Sequence, residues 1–142
     1  MKTVYHMEPY SGVCLYFAGP TWLAEGEVNW HEIGIAHLRE RNFSGTVILP
    51  MPRDGNWRGD DAAQIAWQLK AQQRATVIVF WMPRMGPVTN IEFGEWCRSG
   101  KIVLGSPPGT PKTDYALQRA RTLGVPIGTT LSGTIDLALA RL

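Results

Sequence analysis

Thr76 to Trp96, TVIVFWMPRMGPVTNIEFGEW, is the stretch whose reading decides the fold. Its opening, Thr76 to Met82, is made of strand-favouring residues with no alternation of polar and apolar. Such a run suits a strand buried on both faces, the central strand of a parallel sheet. Pro83 ends it, because proline cannot donate to a ladder. A short loop through Arg84, Gly86 and Pro87 leads to Thr89-Asn90-Ile91-Glu92, which reads as a helix start. Open α/β sheets hold their ligands at the carboxyl ends of central strands. Glu92 falls there and is the first candidate for chemistry.

Working outward, the same alternation recurs on both sides. Val13 to Ala18 (VCLYFA) is an apolar run stopped by Gly19-Pro20, and Gly45 to Pro50 (GTVILP) is a second one. Asn29 is placed to cap a helix from Trp30 to Arg41. After a Pro/Gly-rich loop from Met51 to Gly59, Asp60 or Asp61 caps a helix whose apolar stripe is Ala62, Ile65, Ala66 and Leu69. Downstream, Lys101 to Gly105 is a fourth strand. Thr110-Pro111 opens a helix that stops at Gly124. Val125 to Gly128 is a short fifth strand, and Leu131, Ile135, Ala138, Leu139 and Leu142 stripe a closing helix. Residues 1–12 read as a loose lead-in. Strand and helix alternate about five times, so the expected architecture is one α/β domain, residues 1–142. It is a three-layer sandwich around a parallel sheet of about five strands.

Composition narrows the function classes. The chain has 142 residues, 14 basic and 12 acidic side chains, and a net charge of +2. Its basic residues are scattered, which argues against a nucleic-acid polymer as partner. No apolar run approaches the length of a membrane span, and no charged-then-apolar leader is seen, so a cytoplasmic protein without membrane contact is expected. Two cysteines, Cys14 and Cys97, are too few for a disulfide framework or a zinc knuckle. His31-Glu32 and His37 put the histidines on different helix faces, so no metal is expected. Without a GxGxxG or P-loop after a strand, no dinucleotide or nucleoside-triphosphate cradle is expected either, and no cofactor.

Thr89-x-x-Glu92 reads as a capping box, with the glutamate bonding back to the cap amide in the first turn. There the helix dipole holds a carboxylate ionised, as a nucleophilic or electrostatic role requires. Tyr16 lies mid-strand and its hydroxyl wants a partner. Trp57, in the Gly/Asp-rich loop, and Trp81, at the end of the central strand, are candidates to stack on a flat heterocycle, with core burial as the plainer alternative. Asp54, Asp60 and Asp61 crowd the same edge of a parallel sheet as Glu92.

Together these pieces resemble the nucleoside 2-deoxyribosyltransferase-like family. The resemblance rests on Leu15-Tyr16-Phe17-Ala18-Gly19-Pro20, Phe80-Trp81-Met82-Pro83-Arg84, Thr89-Asn90-Ile91-Glu92-Phe93-Gly94-Glu95-Trp96 and Ser99 to Gly105, in order from about residue 13 onward. It implies a Rossmann or flavodoxin-like fold and an enzyme that cleaves or transfers the N-glycosidic bond of a (2-deoxy)nucleoside or nucleoside monophosphate. It implies that Glu92 attacks the anomeric carbon to form a glycosyl-enzyme ester, and that Tyr16 hydrogen-bonds and orients that carboxylate. Phe93 and Gly94 would shape the turn beneath the sugar. Gly19, Thr89 and Asn90, inside the matched motifs, are expected at the substrate, and a homodimer or larger homo-oligomer is implied. The chain departs from the pattern at Gly86, Pro87 and Val88, and at Gln68, where relatives carry acids. Asp60 and Asp61 are then left to handle the base, with Asp54 behind them. A catalytically impaired nucleotide-binding or scaffold module of the same fold is the alternative.

Overall fold

In a computed structural model, which describes residues 1–21, 26–57, 59 and 61–142, the chain forms a parallel sheet between two helical layers. The strands are β1 (Lys2–Val4), β2 (Cys14–Ala18), β3 (Thr46–Ile48), β4 (Val77–Trp81), β5 (Ile102–Gly105) and β6 (Ile127–Gly128). The helices are α1 (Trp30–Glu40), α2 (Asp61–Arg74), α3 (Pro87–Trp96), α4 (Asp114–Thr122) and α5 (Leu131–Leu139). Strand order is β1-β3-β2-β4-β5-β6, with every neighbouring pair parallel. From β2 the chain moves outward to β3, then returns to place β4 on the other side of β2. Setting β1 aside, this is the flavodoxin-like order, and its crevice opens at the carboxyl ends of β2 and β4.

β2 and β4 are buried along their whole lengths, as the unbroken apolar runs anticipate. Alternate side chains feed two cores. Tyr16, Ile78, Phe80 and Met82 pack with Ala71, Phe93 and Ala116 beneath α2, α3 and α4. Leu15, Phe17, Val79 and Trp81 pack with Trp30, Leu38 and Ile135 beneath α1 and α5. Paired in register, Tyr16 lies opposite Ile78 and Ala18 opposite Phe80.

Four expectations from the sequence are corrected. The lead-in holds a sixth strand: β1 pairs with β3 at the sheet edge, and Val4 is its fully buried residue. On α2 the stripe of Ala62, Ile65, Ala66 and Leu69 faces outward. The helix instead turns Trp67 and Ala71 inward at i and i+4, with Gln72 and Ala75 continuing the buried side, because the large indole gains most from burial. Helix α3 begins at Pro87, with Gly86 as its cap residue and no side-chain cap bond, because proline fits the first helical position. Helix α4 begins at Asp114, since the Thr110 and Thr113 hydroxyls close successive turns ahead of it by donating to the carbonyls of Pro107 and Thr110. The Asn29 cap is as expected, its side chain accepting from the His31 amide at 3.1 Å.

Candidate active site at the carboxyl edge of the sheet

The crevice predicted by the strand order is an open cleft of about 440 Å³. Gly19 and Pro20 at the end of β2, Trp57 in the loop after β3, and Asp61, Gln64, Ile65 and Gln68 of α2 form one wall and floor. Arg84, Gly86 to Thr89 at the start of α3, and Glu92 form the other. Gly19 is needed there sterically: a Cβ would meet the Trp81 carbonyl oxygen at 2.5 Å and the Trp30 ring at 2.6 Å.

Because α3 starts at Pro87, Glu92 lies in its second turn and the capping box is not formed. The carboxylate is bound across the layer instead. Gln72 Nε2 donates to Glu92 Oε1 at 2.5 Å, and Gln72 Oε1 accepts from Trp96 Nε1 at 2.7 Å. Lys101 Nζ caps the end of α2, donating to the carbonyls of Gln72 (2.6 Å), Gln73 (2.7 Å) and Ala75 (3.3 Å). The same ammonium sits 4.8 Å from the Trp96 ring centroid.

The electrostatics also differ from the first-turn picture. Burial pushes the Glu92 carboxyl up from 4.5 to about 7, the Gln72 hydrogen bond opposes the rise, and Glu95 adds to it. Near neutrality the group is therefore divided between its two protonation states. Tyr16 is fully buried, and its hydroxyl has no hydrogen-bond partner among the described residues. Burial first, and then the charge of Glu92, hold its phenol well above its usual value, while the Gln72 amide acts in the opposite sense. The tyrosine lies within electrostatic reach of Glu92, but the direct bond to the carboxylate comes from Gln72.

The remaining candidates divide cleanly. Glu92, Gly19, Trp57, Asp61 and Thr89 share the cleft. Trp81 does not: one residue past Phe80, it points to the opposite face and lines a separate apolar hollow with Trp30 and Leu131. Asn90, Phe93 and Gly94 line a groove toward α4 with Lys112, Tyr115 and Arg119. Phe93 itself is core, edge-on to Phe80 at 5.7 Å. Asp54 is exposed and accepts from the Asn56 amide, away from the cleft lining. Asp60 lies outside the described residues. Of the histidines, His31 is buried against Trp30, and His37 bonds Asp136 at 2.9 Å.

Gln72, Trp96 and the edge strand escaped the sequence reading. A buried glutamine on the inner side of an amphipathic helix is a signal in principle, since an amide is buried only with partners. That signal depends on which of the two apolar stripes of α2 turns inward. His6, just past β1, stands 5.9 Å from Trp57 and 5.3 Å from Trp67, ring to ring, and so backs the aromatic wall of the cleft.

Fold and cleft define a flavodoxin-like α/β domain with a carboxylate in its switch-point crevice. Residues 13–110 match the family model described as nucleoside 2-deoxyribosyltransferase like, and the chain belongs to that family. No curated protein matches the chain. Among the described residues, no helix is long and apolar enough to cross a membrane.

Proposed function

We propose that the protein cleaves or exchanges the N-glycosidic bond of a (2-deoxy)nucleoside or nucleoside monophosphate, with Glu92 as nucleophile. The observation that carries this reading is a half-buried carboxylate lining a cleft of about 440 Å³, held by an amide and sharing the cleft with an aromatic ring. A Glu92 oxygen bonds to the anomeric carbon as the C–N bond breaks and its electron pair leaves with the base. The departing nitrogen takes a proton, and Asp61, in the lining of the cleft, is the donor assigned to it. Water or a second base then displaces the glycosyl ester, restoring Glu92. Charge developing on the sugar is stabilised by the anionic carboxylate beneath it. Trp57 stacks on the base, and Gln64 and Gln68 address its polar edge. Since the nucleophile must be ionised, turnover rises with pH through about 7.

The test is a panel of nucleosides and nucleoside monophosphates read for free base by chromatography, with and without an acceptor base. Glu92→Gln and Glu92→Ala abolish release while the circular dichroism stays unchanged. Normal turnover in either variant would end the nucleophile reading. Ligand-induced stabilisation by the same panel with no product from the parent would favour the binding-module alternative, which the amide of Gln68 at an acid position motivates.

The working unit is a homo-oligomer. Ile65 (54% exposed), Val88 (63%) and Ile91 (71%) form apolar surface on α2 and α3, and the first two also line the cleft.

A further inference from the structure

We propose that Gln72 is the positioning residue for the Glu92 carboxylate, and that Trp96 fixes which end of the Gln72 amide the carboxylate meets. The inference deepens the nucleophile reading and takes its catalytic consequence from it.

The argument starts from donor and acceptor inventories. An indole N–H can only donate. The 2.7 Å contact from Trp96 Nε1 therefore requires the Gln72 oxygen on that side, and the amide must turn its NH₂ toward Glu92. Gln72 has no solvent exposure, so water offers neither end of the amide another partner. Its backbone is held as well, because Lys101 bonds the Gln72 carbonyl while lying over the Trp96 ring. One cation thus ties down the helix end that carries the amide and the indole that orients it.

The orientation matters because the two ends of an amide favour opposite states of a carboxyl group. An NH₂ facing Glu92 stabilises the carboxylate, whereas a carbonyl facing it would stabilise the protonated acid. Among the described residues, the other ionisable groups around Glu92 are the Tyr16 phenol from β2, Asp61 from the start of α2, Arg84 from the loop before α3, and Glu95 on its own helix. Arg84 is engaged with Glu27 at 3.0 Å. Glu95 opposes a second negative charge on its own helix. The Gln72 amide is the group bonded directly to the carboxylate that favours ionisation.

The experiment is a ¹³C NMR titration of the Glu92 side-chain carboxyl in the parent, Gln72→Met and Trp96→Phe, beside pH profiles of kcat and KM. Loss of a hydrogen bond to a charged group moves the Glu92 midpoint up by about one pH unit or more in Gln72→Met. Trp96→Phe, which frees the amide to turn over, moves it in the same direction by less. The acid limb of kcat follows in both, with KM little changed, a pattern that a merely structural role for Gln72 would not produce. An unmoved midpoint in both variants overturns the proposal. If Gln72→Met fails to fold, Trp96→Phe decides alone, and an unmoved midpoint there overturns it equally. A midpoint that moves in a protein whose base release ignores Glu92→Gln upholds the positioning and rejects the nucleophile. Abolished release with an unmoved midpoint does the reverse.

Discussion

Replacing Glu92 with glutamine should make the protein more stable above neutrality while removing its proposed chemistry. The folded state holds the Glu92 proton up to about pH 7, whereas an unfolded chain releases it near 4.5. Between those values the folded state binds more protons, so stability falls as pH rises, at up to about 1.4 kcal/mol per pH unit. The full penalty, roughly 3 kcal/mol for a displacement of this size, is in force above pH 7 and absent below 4.5. Glutamine keeps an oxygen to accept from Gln72 Nε2 and carries no charge, so the variant escapes that penalty and retains the contact. Urea unfolding followed by tryptophan fluorescence from pH 5 to 8.5 is the assay. The parent and variant curves should nearly coincide at pH 5 and separate progressively toward pH 8, with the same m-value throughout. A gap that does not change with pH, or a variant less stable than the parent at pH 8, would refute the claim that burial dominates at this carboxyl.

Gly19→Ala should cost ~1–3 kcal/mol by thermal melting, because its methyl would press on the Trp81 carbonyl and the Trp30 ring. Lys101→Met should cost ~1–2 kcal/mol in urea, since it strips the cap from the last carbonyls of α2 and leaves them short of a donor. An unchanged midpoint would mean that water serves them as well. Light scattering at micromolar concentration should report more than one copy, and Ile91→Asp should shift it toward monomer with circular dichroism unchanged. A monomeric parent would remove the oligomer proposal.

How much of this was legible in the sequence depended on which force set each feature. The central strands were readable because burial on both faces leaves runs without alternation, as in Val77–Trp81. The ends of helices were less so. At α3 a proline suited to the first helical turn competed with Thr89 for the start and prevailed, which moved Glu92 one turn inward and exchanged dipole stabilisation for burial. On α2 two apolar stripes competed, and the one with the indole turned inward. The inner position of Gln72 followed from that choice, so the partner of Glu92 was hidden until the helix was oriented. β1 offered only Val4 as a buried residue, too little for a pattern. For Trp81 the plainer alternative, core burial, holds: strand parity puts it on the opposite face of the sheet from Phe80.

The borders of the sheet carry a last implication. The outermost strands are stubs, three residues at Lys2–Val4 and two at Ile127–Gly128. So short a rim exposes few free amides and carbonyls for another polypeptide to zip onto, which guards a parallel sheet against runaway stacking. The proposed homo-oligomer would then form away from the margins, on the apolar shoulders of α2 and α3, where Ile65 and Ile91 stand out from the surface.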